Sequence, residues 1–204
     1  MGIHYTSLMA REEIIDALGG KDFSELVPED FLAQFNLSSP AQYGMVCASV
    51  GAEVGRLESL GCTTFFHAHM DAPGWTELGE KKKVKVEMAL GYSDDEQIEL
   101  LGPGVNTRFY LDAIPEDGAL ALHHVCCNQN NIEELKKLLP EAGYPLHLEG
   151  GVNIGLLSTY FAYFDTRDEL GFFLEIAQYR LLGKHRPPTE KFISRLASLQ
   201  RRFK

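Results

Sequence analysis

This chain of 204 residues contains one pattern twice: a β-strand, a helix and then three further extended segments. The first copy spans residues 40–103 and the second spans residues 119–180. Short apolar runs bounded by Gly, Pro, Asn and Asp predict the strands. A βαβββ repeat of this length predicts two similar modules in one α+β domain, and it limits the choice of fold more than any other feature of the sequence.

Helical segments flank the repeat on both sides. Residues 1–39 are predicted to form an N-terminal helical extension, with a short helix near residues 28–35 that begins at a proline. Residues 181–204 are predicted to form a C-terminal basic helix, because apolar residues recur at helical spacing at positions 192, 193, 196 and 199. The main domain is therefore placed at residues 40–180.

Four polar residues interrupt the apolar strands at corresponding places in the two modules. Gln42 opens the first module and Glu99 lies in its last strand, whereas His124 opens the second module and Glu175 lies in its last strand. One imidazole, two carboxylates and one amide suit a divalent cation such as Zn²⁺, Ni²⁺, Mn²⁺ or Fe²⁺. The sequence therefore predicts one metal ion shared between the modules.

Each of these residues also has a plainer interpretation. His124 alone would be read as a core histidine, and Gln42 as a strand amide that forms ordinary hydrogen bonds. Two Glu residues in apolar strands favour the metal site, because a buried carboxylate needs a partner to offset its lost hydration. Strand alternation predicts that His124 faces the site together with Leu122 and Cys126, and that His123 points to the opposite face.

Several other residues are candidates for contact with a substrate. An HxH motif on a predicted strand places two imidazoles on one face, where they could contact a substrate, ligate a metal or lie at the surface. Aromatic side chains could wall an apolar pocket or simply belong to the core. An arginine could hold an anionic substrate or remain a solvated charge. The candidates are His67, His69, Phe66, Trp75, Arg108 and Tyr160.

Charge and composition limit the classes of partner that the protein is expected to bind. The net charge is −10, and residues 180–204 carry +7 while the remaining residues carry −17. The acidic residues outside this segment make nucleic acid an unexpected partner, because binding of nucleic acid begins with neutralisation of its phosphates by basic side chains. Neither an apolar run long enough to span a membrane nor a signal-peptide pattern is found, and the four cysteines form no CxxC pair. We expect a cytoplasmic protein with reduced thiols that binds a small-molecule substrate, no nucleic acid and no membrane.

Three segments make the chain resemble the vicinal oxygen chelate superfamily over about 140 residues. They are QIELLGP at residues 97–103, LHHV at residues 122–125 before a predicted helix, and YFDT…LGFFLEI at residues 163–176. The resemblance implies a curved mixed sheet around a central metal pocket, with ligands in the first and last strands of each module. Carried over by position, the metal ligands are Gln42, Glu99, His124 and Glu175. Such modules often pair, so a homodimer is expected.

The superfamily contains glyoxalase I, methylmalonyl-CoA epimerase, extradiol dioxygenases and bleomycin-type resistance proteins, so the resemblance implies three functions. The leading one is a metal-dependent lyase or isomerase that moves a proton next to a carbonyl, with Glu175 as base and Glu99 as its acid/base partner. The second is an Fe- or Mn-dependent ring-cleaving dioxygenase, although the second histidine of its usual triad is missing here. The third is a metal-free small-molecule binding or resistance protein.

Overall fold

The computed structural model describes residues 2–154 and 157–203, so residues 1, 155, 156 and 204 of the predicted extensions and domain lie outside the described residues. The first module contains the expected strand, helix and three strands: β1 (Pro40–Val46), α3 (Val50–Leu60), β2 (Phe66–Ala72), β5 (Val84–Ser93) and β6 (Glu96–Leu101). The hydroxyl of Ser49 caps the start of α3, and Gly61 ends the helix in the left-handed conformation that glycine favours.

The second module repeats the order of the first. It consists of β7 (Ala121–Asn128), α4 (Ile132–Glu141), β8 (Leu146–Ile154), β9 (Leu157–Phe164) and β10 (Phe173–Leu181), with a short helix α5 (Arg167–Leu170) between the last two strands. An additional strand of two residues, β11 (Lys184–His185), pairs with β10. The predicted α+β fold of two βαβββ modules is therefore confirmed.

The two modules form one mixed sheet of eleven strands. Strand order is β2-β5-β6-β1 in the first module and β7-β10-β9-β8 in the second, and antiparallel pairing of β1 with β7 joins them. Within each module the first and last strands are parallel neighbours, β1 with β6 and β7 with β10. The four strands that carry the predicted ligands therefore lie side by side at the centre of the sheet.

The segment between β2 and β5 forms a small hairpin, which the repeat pattern in the sequence does not predict. Its strands are β3 (Thr76–Glu77) and β4 (Glu80–Lys81), and β3 pairs with β8 at the far end of the sheet. Only residues 73–75 separate β2 from β3. The two ends of the sheet must therefore lie close together, and the sheet curls into a half-barrel.

The curled sheet packs against apolar side chains on both faces. On its convex face it meets α3, α4 and the N-terminal segment, which contains α1 (Gly2–Ala17), a 3-10 turn (Phe23–Glu25) and α2 (Glu29–Gln34). On its concave face a second cluster contains Trp75, Phe109, Tyr110 and Phe173. The concave cluster surrounds the region where the ligand strands meet.

The C-terminal helix α6 (Glu190–Arg202) packs on β2 and β5. The Gln200 side chain binds the main chain of His67 in both directions: its Oε1 accepts from the N–H at 2.9 Å, and its Nε2 donates to the C=O at 2.5 Å. Because β2 is an edge strand, these main-chain groups have no strand on that side. Gln200 therefore replaces a missing strand and holds α6 against the sheet.

No helix in the described part of the chain is both long enough and apolar enough to cross a membrane.

Candidate functional site

Gly44 in β1 lies between two of the predicted ligand residues. It pairs with Glu99 of β6 on one side and with His124 of β7 on the other. A Cβ atom at Gly44 would lie only 1.8 Å from Cε1 of the His124 ring. The imidazole therefore lies directly over Gly44, and it reaches towards Glu99 because this position has no side chain.

Three of the predicted ligands come together at this point. Nε2 of His124 lies 3.3 Å from Oε2 of Glu99 and 3.2 Å from Oε2 of Glu175. All three residues are buried, and His124 is fully enclosed. Neither Nε2 of His124 nor Oε2 of Glu175 has a hydrogen-bond partner of acceptable geometry. Buried polar atoms without partners are rare, and each needs an explanation such as an ion or a water molecule.

The other ring nitrogen of His124 is occupied by its neighbour. Nδ1 of His124 lies 3.1 Å from Nδ1 of His123, and Nε2 of His123 lies 3.3 Å from the carbonyl oxygen of Phe109. A carbonyl only accepts, so the proton of His123 is assigned to Nε2, and its Nδ1 accepts from His124. This relay leaves Nε2 of a neutral His124 with a free lone pair directed at the two carboxylates.

The predicted opposite orientation of His123 is wrong. Met45 pairs with Leu122 and Gly44 pairs with His124, so His123 is an extra residue between two successive pairs. Such a bulge interrupts the alternation of side chains along the strand. His123 therefore lies on the concave side, where its ring contacts Phe109 and Phe173.

Burial and charge set the protonation of these groups. Burial alone would lower the pKa of His124, but Glu175 and Glu99 outweigh it and raise the pKa to about 9. Burial raises the pKa of Glu99, and the Glu175 carboxylate acts in the same direction, while His124 opposes the shift. Burial lowers the pKa of His123 well below its usual value, which keeps that ring neutral.

The three residues fit a divalent cation. Donors that bind one ion at about 2.1 Å lie about 3.0 to 3.4 Å from one another, and the imidazole nitrogen lies within that range of both carboxylate oxygens. Two carboxylates and a neutral imidazole carry a charge of −2, which a divalent ion would balance. One nitrogen and two oxygens are suitable donors for Zn²⁺, Ni²⁺, Mn²⁺ or Fe²⁺.

A cavity of about 160 Å³ opens beside the three residues. Gln42, Glu99 and Glu175 form its polar end. Gln42 pairs across the strands with Cys126, which in turn pairs with Glu175, so the amide lies in the same row as that carboxylate. Apart from Gln97 and Thr159, the rest of the lining is apolar and aromatic. It includes Phe66, Trp75, Tyr110, Phe161, Tyr163 and Tyr179, together with Phe192, Ile193 and Leu196 of α6.

Only two of the six candidate substrate contacts line this cavity. Phe66 and Trp75 do, and Nε1 of Trp75 donates to the buried Glu77 at 3.0 Å, which fixes the indole. The other four do not line the cavity. Three of them occupy strand positions that alternate with cavity-facing residues and therefore point to the opposite face of the sheet, and the fourth lies on a surface loop. His67 and His69 project from the opposite face of β2, Tyr160 from the opposite face of β9, and the exposed Arg108 pairs with Asp112.

Sequence reasoning missed the residues that complete the site from other elements. Tyr110 belongs to the linker between the modules, and its hydroxyl lies 3.5 Å from that of Tyr163. Burial raises the pKa of both phenols well above the usual value, so both stay neutral. The α6 residues were recognised as an apolar stripe, but nothing in their spacing indicated that the stripe would meet the cavity.

Comparison with known proteins gives matches in structure alone. No protein-family model and no curated protein matches the sequence. The Mycobacterium tuberculosis methylmalonyl-CoA epimerase aligns with a TM-score of 0.51 and 14% identity, over 69% of this chain and 87% of that one. A variant of the Streptomyces coelicolor methylmalonyl-CoA epimerase in complex with 2-nitronate-propionyl-CoA also aligns with a TM-score of 0.51, with 15% identity over 69% and 96% of the two chains.

Identities this low carry information about the fold and not about the reaction. Both alignments cover 69% of this chain, and the two βαβββ modules in one curved mixed sheet are what the sequence resemblance implied. This chain therefore has the vicinal oxygen chelate fold.

Proposed function

We propose that this chain is a divalent-metal-dependent lyase or isomerase that moves a proton at a carbon next to a carbonyl, in the manner of a glyoxalase or an epimerase. The observation that carries the proposal is the Nε2 atom of His124, which is buried, unpartnered and directed at two carboxylates. Glu99, His124 and Glu175 would hold the ion, with Gln42 as the fourth ligand. Held there, the cation would act as a Lewis acid that polarises the carbonyl.

The two carboxylates supply the proton transfer. Glu175 and Glu99 belong to different modules and both line the cavity, so a substrate bound there could contact both carboxylates. We assign Glu175 as the base that removes the proton. We assign Glu99 as the partner that returns it, because the raised pKa of Glu99 suits a group that must hold a proton.

The cavity itself favours a small, uncharged substrate. None of the described residues that line it is a lysine or an arginine, and two of the polar ones are carboxylates. A phosphate or carboxylate on the substrate would therefore find no lysine or arginine to pair with in the cavity. Its volume of about 160 Å³ is also below the ~300–1,000 Å³ of pockets for drug-sized ligands. A hydroxy ketone of a few carbons fits better than a bulky anionic thioester.

A metal-free binding protein is the second candidate, and one observation favours it. The pKa of about 9 means that, without a metal, His124 carries two protons at neutral pH. An imidazolium between two carboxylates is a charge-compensated cluster that needs no ion. In that case Gln42 and the carboxylates would be polar contacts for a bound molecule and not ligands.

Elemental analysis of the purified full-length chain separates the two candidates. Glu175→Ala is compared with Glu116→Ala, a matched change at an exposed glutamate of the linker. We expect the Glu175 variant to lose one equivalent of Zn, Ni, Mn or Fe that wild type and the Glu116 variant retain. Equal metal contents in all three proteins would support the metal-free binding protein.

The reaction is tested by solvent exchange. Wild type is incubated in D₂O with small hydroxy ketones such as hydroxyacetone, and NMR follows deuterium uptake at the carbon next to the carbonyl. Glu175→Gln is expected to reduce the exchange rate by ~10²–10⁴-fold, the usual contribution of a positioned general base, without a loss of circular dichroism. An unchanged rate in that variant would rule out Glu175 as the base.

A further inference from the structure

A second group of metal-ligating side chains lies on the opposite face of the sheet from the cavity. Phe66 and Met70 of β2 line the cavity, so the intervening His67 and His69 project from the other face. Glu87 of β5 is the cross-strand partner of His69 and joins them there. A Cβ atom at Gly51, near the start of α3, would lie 4.0 Å from the His67 ring, which places this cluster on the convex side.

The three side chains converge on one point. Nε2 of His67 lies 2.9 Å from Oε1 of Glu87, and the rings of His67 and His69 have centroids 5.2 Å apart. One ligand atom from each residue can be chosen so that all three lie within 4.8 Å of one another. Two imidazoles at alternate positions of one strand, with a carboxylate opposite, can therefore close on a single ion with small rotamer changes.

We propose that His67, His69 and Glu87 form a second metal site, which takes Zn²⁺ or a similar nitrogen-preferring divalent ion. Two imidazole ligands exclude Mg²⁺ and Ca²⁺, which take oxygen ligands, and favour Zn²⁺, Ni²⁺ or Cu²⁺. Three protein ligands leave at least one coordination position for water or another molecule.

The site is accessible, in contrast to the buried ligands of the cavity. The side chains of His67 and Glu87 are 17% and 34% exposed, and His69 is exposed. A groove lined by His69, Glu87 and Gly104 runs beside them. Lys85 is the nearest lysine along β5. It pairs across the strands with Asp71, two residues further along from the His69–Glu87 pair, and its Nζ lies 3.8 Å from Oδ1 of Asp71. An ion can therefore enter from solvent without any rearrangement of the fold.

An ion at this position would brace the wall of the cavity. His67 is the residue whose main chain binds Gln200 of α6. A metal that fixes His67, His69 and Glu87 would tie β2 to β5 at the same point, and the other faces of these two strands line the cavity. The second site would thus be structural and would stabilise the edge of the sheet on which α6 rests.

Zinc stoichiometry tests this site independently of the cavity. Metal-stripped full-length protein is dialysed against micromolar Zn²⁺ and analysed for bound zinc. His69→Ala removes one ligand but keeps the His67–Glu87 contact, and His185→Ala is a matched change at an exposed histidine of β11. We expect His69→Ala to bind one equivalent less than wild type and His185→Ala to bind as much as wild type. Loss of a ligand should weaken the site by more than the ~10–100-fold that loss of a ligand-orienting residue causes.

This experiment tests the second site and the metal site in the cavity separately. Glu175→Ala should keep the equivalent that His69→Ala loses, and a double variant should lose both. If His69→Ala and His67→Ala both bind as much zinc as wild type, the second site does not exist, whatever happens at Glu175. If Glu175→Ala binds as much zinc as wild type while His69→Ala loses one equivalent, the second site is supported and the proposed metal site in the cavity is ruled out.

Discussion

Single residues of β1 and β7 determine whether the imidazole and the carboxylates can meet. Gly44 gives the His124 ring its space, and His123 fixes the proton on the far side of that ring. Neither residue would bind the ion itself. The geometry of the proposed metal site therefore depends on positions that lie beside the ligands in the sequence and in the sheet.

Gly44→Ala should disrupt the site. Its Cβ would overlap the ring of His124, which must then move away from Glu99 and Glu175. We expect loss of the metal equivalent that depends on Glu175, and destabilisation by ~1–3 kcal/mol from overpacking. Elemental analysis and thermal denaturation measure the two effects.

The matched control for this change is Gly55→Ala. Gly55 lies in α3, and a Cβ there would meet nothing within 4 Å. Alanine in a helix is favoured over glycine by ~1 kcal/mol, so this variant should be as stable as wild type or more stable. If Gly44→Ala also binds metal normally, the position of the His124 ring over Gly44 is not required for metal binding.

His123→Phe should weaken metal binding without removing a ligand. The phenyl ring keeps the aromatic packing against Phe109 and Phe173, but it cannot accept the proton of Nδ1 of His124. Loss of a residue that orients a ligand typically reduces metal affinity by ~10–100-fold. Competition with a chromogenic chelator measures the affinity, and an unchanged value would mean that the relay has no role.

At this scale the sequence singles out residues that are unusual in their strands and overlooks residues that are not. Glu99, His124 and Glu175 stood out because charged or polar groups are rare in apolar strands, and the structure brings these three together. His123 was misplaced because a bulge, which depends on the partner strand, cannot be read from one strand alone. Gly44 carried no signal, since its importance arises only from the ring above it.

Secondary-structure elements were predicted correctly wherever the apolar pattern was continuous. The eight strands of the two modules and helices α3, α4 and α6 appear in the predicted order, although several bounds differ by a few residues from the apolar runs. The β3–β4 hairpin was missed because each of its strands has two residues, too few for a periodic signal. The same shortness hid its pairing with β8, which brings Trp75 into the cavity.

Gln200→Ala tests the attachment of α6 to the sheet. The variant removes two hydrogen bonds to the edge strand, each with a net contribution of ~0.5–1.5 kcal/mol. We expect faster hydrogen exchange at the amide of His67 and earlier proteolytic cleavage within α6. Because α6 covers part of the cavity, binding of an apolar fluorescent dye should increase.

Ser198→Ala is the control on the same helix. Ser198 is exposed and should be replaceable without effect on exchange or on cleavage. If exchange at His67 is the same in both variants, the contact with Gln200 does not hold the helix in solution.

At the scale of the whole molecule, one curled sheet joins the two modules, and the residues of the proposed site in the cavity come from both of them. The boundaries at residues 40 and 180, the cytoplasmic location and the homodimer all remain predictions. Sedimentation velocity measures the last of these directly.

Global stability of the metal-free protein should fall as pH rises from about 6.5 to about 9. The pKa of His124 is about 9 in the folded protein and 6.5 in a free side chain, so its protonation stabilises the fold fully below pH 6.5 and no longer does so above pH 9. The raised pKa of Glu99 has an effect of the same sign that begins at lower pH, because its ionisation costs more in the folded state as the pH rises above the free value of 4.5.

Thermal denaturation in the presence of a chelator measures this dependence. His124→Gln should flatten the curve over the same range, since the group that titrates there is gone. A midpoint that is constant between pH 6.5 and 9 in wild type would contradict the charged imidazole between the carboxylates. Saturation with Zn²⁺ should raise the midpoint most at high pH, where no proton competes for Nε2.

The hairpin that ties the two ends of the sheet has a consequence for the order of events during synthesis. Thr76 pairs with Glu149, which follows it by 73 residues. A ribosome that adds about 5 to 20 residues each second needs about 4 to 15 s to produce that partner. During this interval the strand that pairs with the hairpin does not yet exist. The curled sheet therefore cannot form, and Trp75 cannot complete the wall of the cavity. The pocket is therefore the last part of the protein to form, and the emerging chain remains open to chaperones until the second half has left the tunnel.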